Sequence, residues 1–402
     1  MKRVLSVIHY PTFGGPHNRN LRLMEPLARR GIETKIVLPD EPGNAGTRFQ
    51  EAGVAVTKIP LRRLRASPNP ITQARFVANF RKDISALRAE IRQEAIDVVL
   101  INGLVNPHAG IAARLEGVPV VWQILDTRTP VVVRRAMMPL VTRLADVVMS
   151  TGMEVARVHP GAVGLNERLV PFFPPVETSR FAPDPGRRKA ARLALGIPEE
   201  ARVVGTVGNL NPQKGHEYLL HAARLIRAKN PNTVLRILGA HTPTHAGYAR
   251  RLHEEAREFG FEPRATFVDP GSRVDELLPA FDVFVLASVP RSEGIPTAIL
   301  EAMACELPVV ATDVGAVSEV VETGVTGVVV PPCDALAVAR AVGSLLDDPG
   351  LSSRMGIEAR RRAVARYDVE ACADAHLRAF EASIRHRSAR DAAFSVGAVG
   401  ER

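Results

Sequence analysis

Cysteine is scarce in this chain. Cys305, Cys333 and Cys372 are the three among 402 residues, and their spacing suits neither a disulfide framework nor a thiolate metal site. That usage fits a reducing compartment, so the expected location is cytoplasmic. Long apolar runs are also missing: none reaches the roughly 18–20 residues of a membrane span. The opening M-K-R-V-L-S-V-I-H-Y has an apolar core too short for a signal peptide and reads as a first strand. Basic charge is present, but no recognition helix or aromatic-lined RNA platform accompanies it, so nucleic acid is not an expected partner.

What is present is ordinary in composition and uneven in charge. Hydrophobic residues make up 46% and charged residues 24% of the chain, as in a soluble globular protein. Its length implies two domains of roughly 150–200 residues each. The net charge is +9, yet residues 1–180 hold 25 Lys/Arg against 15 Asp/Glu, while residues 181–402 hold 27 against 28. The excess is sharpest from Lys58 to Arg92. There Lys58, Arg62, Arg63, Arg65, Arg75, Arg81, Lys82, Arg88 and Arg92 face only Asp83 and Glu90. Such a segment is either a solvated basic face or a peripheral contact with anionic lipid headgroups at the inner face of a membrane.

Strand and helix signals alternate along both halves. Arg3 to Ile8 reads as a strand, His9 to His17 as a loop holding Gly14 and Gly15, and Asn18 to Arg30 as a helix ended by Gly31. Thr34–Leu38, Val54–Ile59, Asp97–Ile101, Val118–Ile124 and Asp146–Ser150 follow as strands, with Pro70–Arg92 a long basic helix. Val170 to Ser179, with three prolines, reads as a linker. Six more strands begin near Arg202, Val234, Thr266, Val283, Val309 and Gly327, separated by helical patterns. This alternation predicts an α/β fold with a parallel sheet in each half. A helical stretch from Ala371 to Ile384 precedes a patternless tail.

Two stretches carry chemistry. In the first, S-V-P-R-S-E-G-I-P-T-A-I-L-E-A-M-A-C from Ser288 to Cys305, Pro296 is expected at the first helical position. The helix from Thr297 is apolar except for Glu301, a carboxylate that needs a polar partner in such a run. The N–H groups of Thr297 and Ala298 at its start favour phosphate, and hydroxyls such as a ribose diol would satisfy Glu301. Glu293 lies eight positions earlier, beside Gly294. The second stretch, G-N-L-N-P-Q-K-G from Gly208 to Gly215, joins a strand to a helix and sets Lys214 where an ammonium can meet a diphosphate. A helix with a salt-bridged glutamate and a surface lysine beside a turn are the plain readings of these residues taken singly.

Glu293 and Glu301 within E-G-I-P-T-A-I-L-E-A-M-A resemble the E-x7-E signature of retaining glycosyltransferases of the GT-B fold, in particular their fourth sequence family. Gly208–Gly215 resembles that family's G-R-L-x-x-x-K-G loop. The resemblance spans about residues 2–384 and implies two Rossmann-like parallel-sheet domains with a cleft between them. Residues 1–172 would form the acceptor-side domain, 173–183 the linker, 184–370 the nucleotide-sugar domain, and 371–402 a helix crossing back to the first domain and a loose tail. It further implies transfer of a hexose from a nucleoside diphosphate sugar to a hydroxyl of an acceptor glycan or lipid-linked sugar, with retention, in cell-envelope polysaccharide or glycolipid synthesis. Glu293 would hold sugar hydroxyls, Glu301 the ribose, and Lys214, Thr297 and Ala298 the diphosphate, with Gly294, Asn209 and Gly15 beside the donor. No metal or other cofactor is implied, and the chain has no Asp-x-Asp element. Two positions depart from the family pattern. Leu125 stands where relatives carry the histidine of a His-Asp pair, leaving Asp126 as its remaining member, and Asn209 replaces the loop arginine. These departures keep open a non-catalytic nucleotide-sugar-binding partner subunit; an epimerase of the same fold is the other alternative.

Overall fold

The computed structural model describes residues 1–62, 70–241, 243–261 and 264–399. The chain divides into two compact units: Met1–Pro175 together with the segment from Val369 onward, and Val176–Asp368.

The first unit is built on a seven-stranded sheet in the order β3-β2-β1-β4-β5-β6-β7. Its strands are β1 Lys2–Ile8, β2 Ile32–Pro39, β3 Val56–Ile59, β4 Val98–Asn102, β5 Val120–Ile124, β6 Val147–Thr151 and β7 Leu169–Phe172. All neighbours pair in parallel. Every residue of β4, β5 and β6 is buried, because helices cover both faces of such a sheet; the strands are apolar except toward their carboxyl ends, at Asn102, Gln123, Ser150 and Thr151. The strand order reverses between β1 and β4, and in open α/β sheets the crevice outside the carboxyl ends at that point is where ligands bind.

Three features of this unit differ from the sequence reading. The first helix runs Gly15–Arg29, so Gly15 is helical rather than in the preceding loop. Extended Gly14 caps it, and the Gly14 N–H donates to His17 Nδ1 at 3.1 Å. Leu169–Phe172, the start of the proline-rich stretch, forms the edge strand β7 beyond β6. Pro171 is tolerated there because an edge strand leaves one side unpaired. The terminal helix runs from Val369 to Val399, well past Ile384. Its far end is rich in alanine and carries an Arg387–Asp391 ion pair at 3.0 Å, so propensity and i,i+4 pairing sustain it without an apolar stripe. Near its start, Cys372, Ala373, Ala379 and Phe380 share a core with Val4, Leu23, Val98 and Phe172.

The basic segment holds less free charge than its composition suggests. Arg62 Nη1 lies 2.7 Å from the carboxylate of Asp83, whose side chain is fully buried. Arg88 and Arg92 both meet Glu116, at 2.5 and 3.3 Å. Arg81 and Lys82 remain exposed on the helix Pro70–Gln93. Arg63 and Arg65 lie outside the described residues, as does the side chain of Arg75.

The second unit carries six parallel strands in the order β10-β9-β8-β11-β12-β13. They are β8 Arg202–Val207, β9 Thr233–Leu238, β10 Ala265–Val268, β11 Val283–Leu286, β12 Val309–Thr312 and β13 Gly327–Val330. One core joins Val204, Leu235, Val283 and Val310 of the sheet to Leu219 and Leu220 of the helix His216–Lys229 and Val338 and Val342 of the helix Ala335–Asp347. Here the order reverses between β8 and β11. Among the described residues no helix is long and apolar enough to cross a membrane.

Candidate active site

The loops that follow β8 and β11 meet at the switch point of the second sheet. Gly215, between the short turn Pro212–Lys214 and the next helix, has φ +59°, and a Cβ there would sit 2.1 Å from the carbonyl oxygen of Ala287. Glycine therefore lets the β8 loop press against the end of β11. The loops are joined by the Val289 N–H, which donates to the Gln213 carbonyl at 3.1 Å. In consequence Lys214 Nζ reaches Glu293 Oε1 at 2.6 Å. The Ser288 hydroxyl donates to the same oxygen at 2.9 Å, and Thr312, last in β12, donates to the Ser288 carbonyl at 2.6 Å. Glu293 is 8% exposed.

The backbone around Glu293 is tightly held. Arg291 adopts φ +61°, a left-handed conformation that costs a non-glycine residue roughly 1–2 kcal/mol and recurs where a loop must aim a functional side chain. The Gly294 carbonyl accepts the Ala316 N–H at 2.9 Å. Gly315 packs so closely that a Cβ on it would lie 2.4 Å from that carbonyl oxygen.

Next comes the helix Thr297–Ala304. Pro296 occupies the N-cap, with φ −68° and ψ 121°, rather than the expected first helical position; its extended ψ suits a cap. Thr297 and Ala298 open the first turn, whose N–H groups have no carbonyl one turn back within the helix. Ile299, Leu300, Ala302, Met303 and Ala304 are buried, and so is Glu301 at 7% exposure. Burial, reinforced by the charge of Glu301, pushes the Cys305 thiol up to about 12.

Thus Lys214 and Glu293 are in direct contact, and Gly294, Thr297, Ala298 and Glu301 follow along the same loop and helix. Asn209 is exposed. Its carbonyl accepts from Nε2 of His216 at 3.3 Å, and burial holds His216 neutral, down at about 4. Gly15 and Asp126 belong to the first unit. Asp126 follows β5 and accepts the Arg128 N–H at 2.9 Å, while Leu125 packs on the core that includes Phe172 and Cys372. Ser288, Thr312 and His216 were not singled out from the sequence. The available signal was a polar residue closing an apolar strand, which Ser288 and Thr312 both show.

Two family models match the chain: "Glycosyl transferases group 1" over residues 187–362 and "Glycosyl transferase 4-like domain" over residues 14–172. A D-inositol 3-phosphate glycosyltransferase of Rhodococcus jostii is 31% identical over 363 residues, which cover 84% of this chain and 78% of that protein. A GDP-mannose-dependent alpha-(1-6)-phosphatidylinositol monomannoside mannosyltransferase of Mycolicibacterium smegmatis is 33% identical over 263 residues, 63% of this chain and 65% of its own. Among solved structures, Anabaena HepE in complex with UDP superposes with a TM-score of 0.79 at 21% identity, covering 93% of this chain and 98% of that one. A glycosyltransferase from Rickettsia africae gives 0.80 at 16% identity, covering 95% and 98%. At such identities the likeness establishes the fold, which is GT-B.

Proposed function

The chain belongs to the group 1 glycosyl transferases, and we propose that it moves a hexose from a nucleoside diphosphate sugar to a hydroxyl acceptor with retention of configuration. The observation that carries this reading is the Lys214–Glu293 pair at 2.6 Å, at a sheet switch point and just ahead of a helix start and a buried glutamate. A ligand with a diphosphate between a ribose and a sugar answers all of these groups. Its phosphates suit Lys214 and the first-turn N–H groups of Thr297 and Ala298. Its ribose diol suits Glu301, and its sugar hydroxyls suit Glu293 once Lys214 turns to the phosphates. Charge neutralisation then rests on a cation and a helix dipole, with no role for a metal. The departing phosphate takes the acceptor's proton on the face it leaves. A relative named for a phosphatidylinositol monomannoside favours a lipid-linked, cell-envelope acceptor, and one named for D-inositol 3-phosphate favours a small phosphorylated one; either would be handled by the first unit.

Release of UDP or GDP on mixing the protein with the matching donor and a lipid extract tests turnover. Donor binding without release would favour the non-catalytic partner subunit, for which Leu125 and Asn209 speak. For the donor site itself, Glu301→Ala should weaken nucleoside diphosphate binding by about 2–3 kcal/mol, the scale of hydrogen bonds to a charged acceptor. Calorimetric titration showing unchanged affinity in a folded variant would overturn the ribose assignment.

A further inference from the structure

The first unit contains a buried cation that meets no carboxylate among the described residues. Arg19, on the helix Gly15–Arg29, is 7% exposed. Its Nη2 donates to Asn102 Oδ1 at 2.7 Å and to Gln123 Oε1 at 2.5 Å, and its Cζ lies 5.1 Å from the centre of the Phe172 ring. Nε is buried without a partner, and Nη1 makes no hydrogen bond among the described residues.

The surroundings stabilise this charge with amide dipoles and the face of the Phe172 ring. Asn102 is held with its oxygen toward Arg19, because its Nδ2 donates to Ser6 Oγ at 2.9 Å and Val7 O at 3.3 Å. Gln123 is held likewise, its Nε2 donating to His376 Nε2 at 2.9 Å, while His376 Nδ1 donates to the Cys372 carbonyl at 2.8 Å. Asn20 Nδ2 adds a bond to the same Asn102 oxygen at 3.0 Å. Among the described residues no carboxylate takes part. Burial keeps the neighbouring Cys372 thiol protonated, at about 12, and His376 neutral, at about 3. The guanidinium itself is pushed down only to about 10 and stays charged at neutral pH. An arginine spent on structure is ordinarily paired with Asp or Glu, since a desolvated lone charge is costly. Here amides occupy the places where those acids would stand, so the full charge remains available to a ligand.

Its position is also that of a ligand site. Asn102 ends β4 and Ser6 lies in β1, the two strands between which the sheet order reverses. Beside the start of the same helix, a Cβ on Gly14 or Gly15 would meet nothing within 4 Å, which leaves open room near the turn.

We propose that Arg19 is the fixed positive charge of an anion subsite at the switch point of the first sheet, taking a phosphate or carboxylate carried by a substrate. The subsite stands on geometry alone; only the source of the anion, acceptor or donor diphosphate, rests on the glycosyltransferase reading.

Inorganic phosphate is the probe, titrated at constant ionic strength against the full chain and followed by thermal shift and calorimetry, with and without saturating UDP or GDP. The wild type should bind it. Arg19→Met should bind it at least about tenfold more weakly, as for loss of a charge-assisted contact. Asn102→Asp supplies the missing carboxylate in nearly the same shape: it should keep or raise the melting temperature and still lose the phosphate response. That split separates an anion subsite from a purely structural arginine, and Asn102→Asp serves where Arg19→Met does not fold. A response that persists under saturating nucleotide assigns the anion to the acceptor. One that nucleotide displaces, and that both variants weaken, assigns it to the donor. Absence of a wild-type response overturns the proposal, as does an equal response in the wild type and Asn102→Asp. Nucleotide binding without a phosphate response leaves the donor-site reading standing; phosphate binding with no nucleotide binding does the reverse.

Discussion

Lys214 and Glu293 form an ion pair that joins the two loops of the candidate site. In the structure their contact at 2.6 Å balances a half-buried ammonium against a nearly buried carboxylate, whose oxygen also receives the Ser288 hydroxyl. On the proposed reading, a diphosphate gaining charge as it leaves would compete for the same ammonium, and a preorganised donor is worth most at that moment. Lys214→Ala should therefore lower kcat by at least about 10²-fold, in steady-state assays with donor held saturating. Asn209→Arg, which restores a charge to the loop, should raise donor affinity or turnover in the same assay. Near-normal turnover of Lys214→Ala would place the diphosphate elsewhere.

The segments that matter most as elements are the loop Gly208–Gly215 and the helix Thr297–Ala304, and their placement depends on backbone contact. Gly215→Ala forces a methyl to within 2.1 Å of the Ala287 carbonyl oxygen and keeps φ at +59°. The left-handed conformation alone costs roughly 1–2 kcal/mol, and relief of the clash must move the loop off β11. The variant should melt lower and lose nucleoside diphosphate affinity together. A variant that melts lower yet binds nucleotide normally would show that the loop's approach to β11 is not what positions Lys214. The helix Pro70–Gln93 shows a different constraint. Its buried Asp83 holds Arg62 from the segment before the helix, so a charge-removal test of lipid contact belongs at exposed Arg81 and Lys82.

Over the whole molecule, the charge split gives one prediction and the buried histidines another. Residues 1–180 carry a balance of +10 and residues 181–402 one of −1, and each basic residue near an anionic membrane contributes about 1 kcal/mol. The protein should co-sediment with anionic but not neutral vesicles at low salt. The binding should fall in 1 M salt, where screening shortens to about 3 Å, and weaken in an Arg81→Gln, Lys82→Gln variant with nucleotide binding intact. If the wild type ignores anionic vesicles, the patch is a solvated face and a soluble acceptor is favoured. Burial holds His108 and His216 down at about 4 and His376 at about 3, whereas in an unfolded chain each titrates near about 6.5. Below that pH the unfolded chain takes up protons that the folded one refuses. Folding stability should therefore fall as pH drops from about 6.5 toward 4, by up to about 1.4 kcal/mol per pH unit for each histidine. Urea unfolding at pH 7, 5.5 and 4.5 measures it; a flat profile would mean that these histidines are not held neutral.

The fold class and the order of most elements are legible in the residues alone. Apolar runs between glycine and proline signals marked β1, β4, β5, β6 and the six strands of the second sheet, because a parallel strand buried on both faces must be apolar along its length. The sequence also marks which residues of the second unit are worth attention, since one carboxylate in an apolar helix and one lysine before a helix start stand out from their neighbours. It does not reveal the edge strand Leu169–Phe172, which overlaps the three-proline stretch Val170–Ser179 that reads as a linker. Nor does it reveal the end of the terminal helix, which alanine and an i,i+4 pair sustain without periodicity. Folding in three dimensions sets the rest: that Lys214 and Glu293 touch across 79 residues of chain, that Ser288 and Thr312 brace them, and that Arg62 is spent on Asp83. Above all, it sets Arg19 among amides, with no acid beside it in the described residues. Such facts depend on which loops leave neighbouring strands of a sheet, and strand order is set by the packing of the whole unit rather than by any local run of residues.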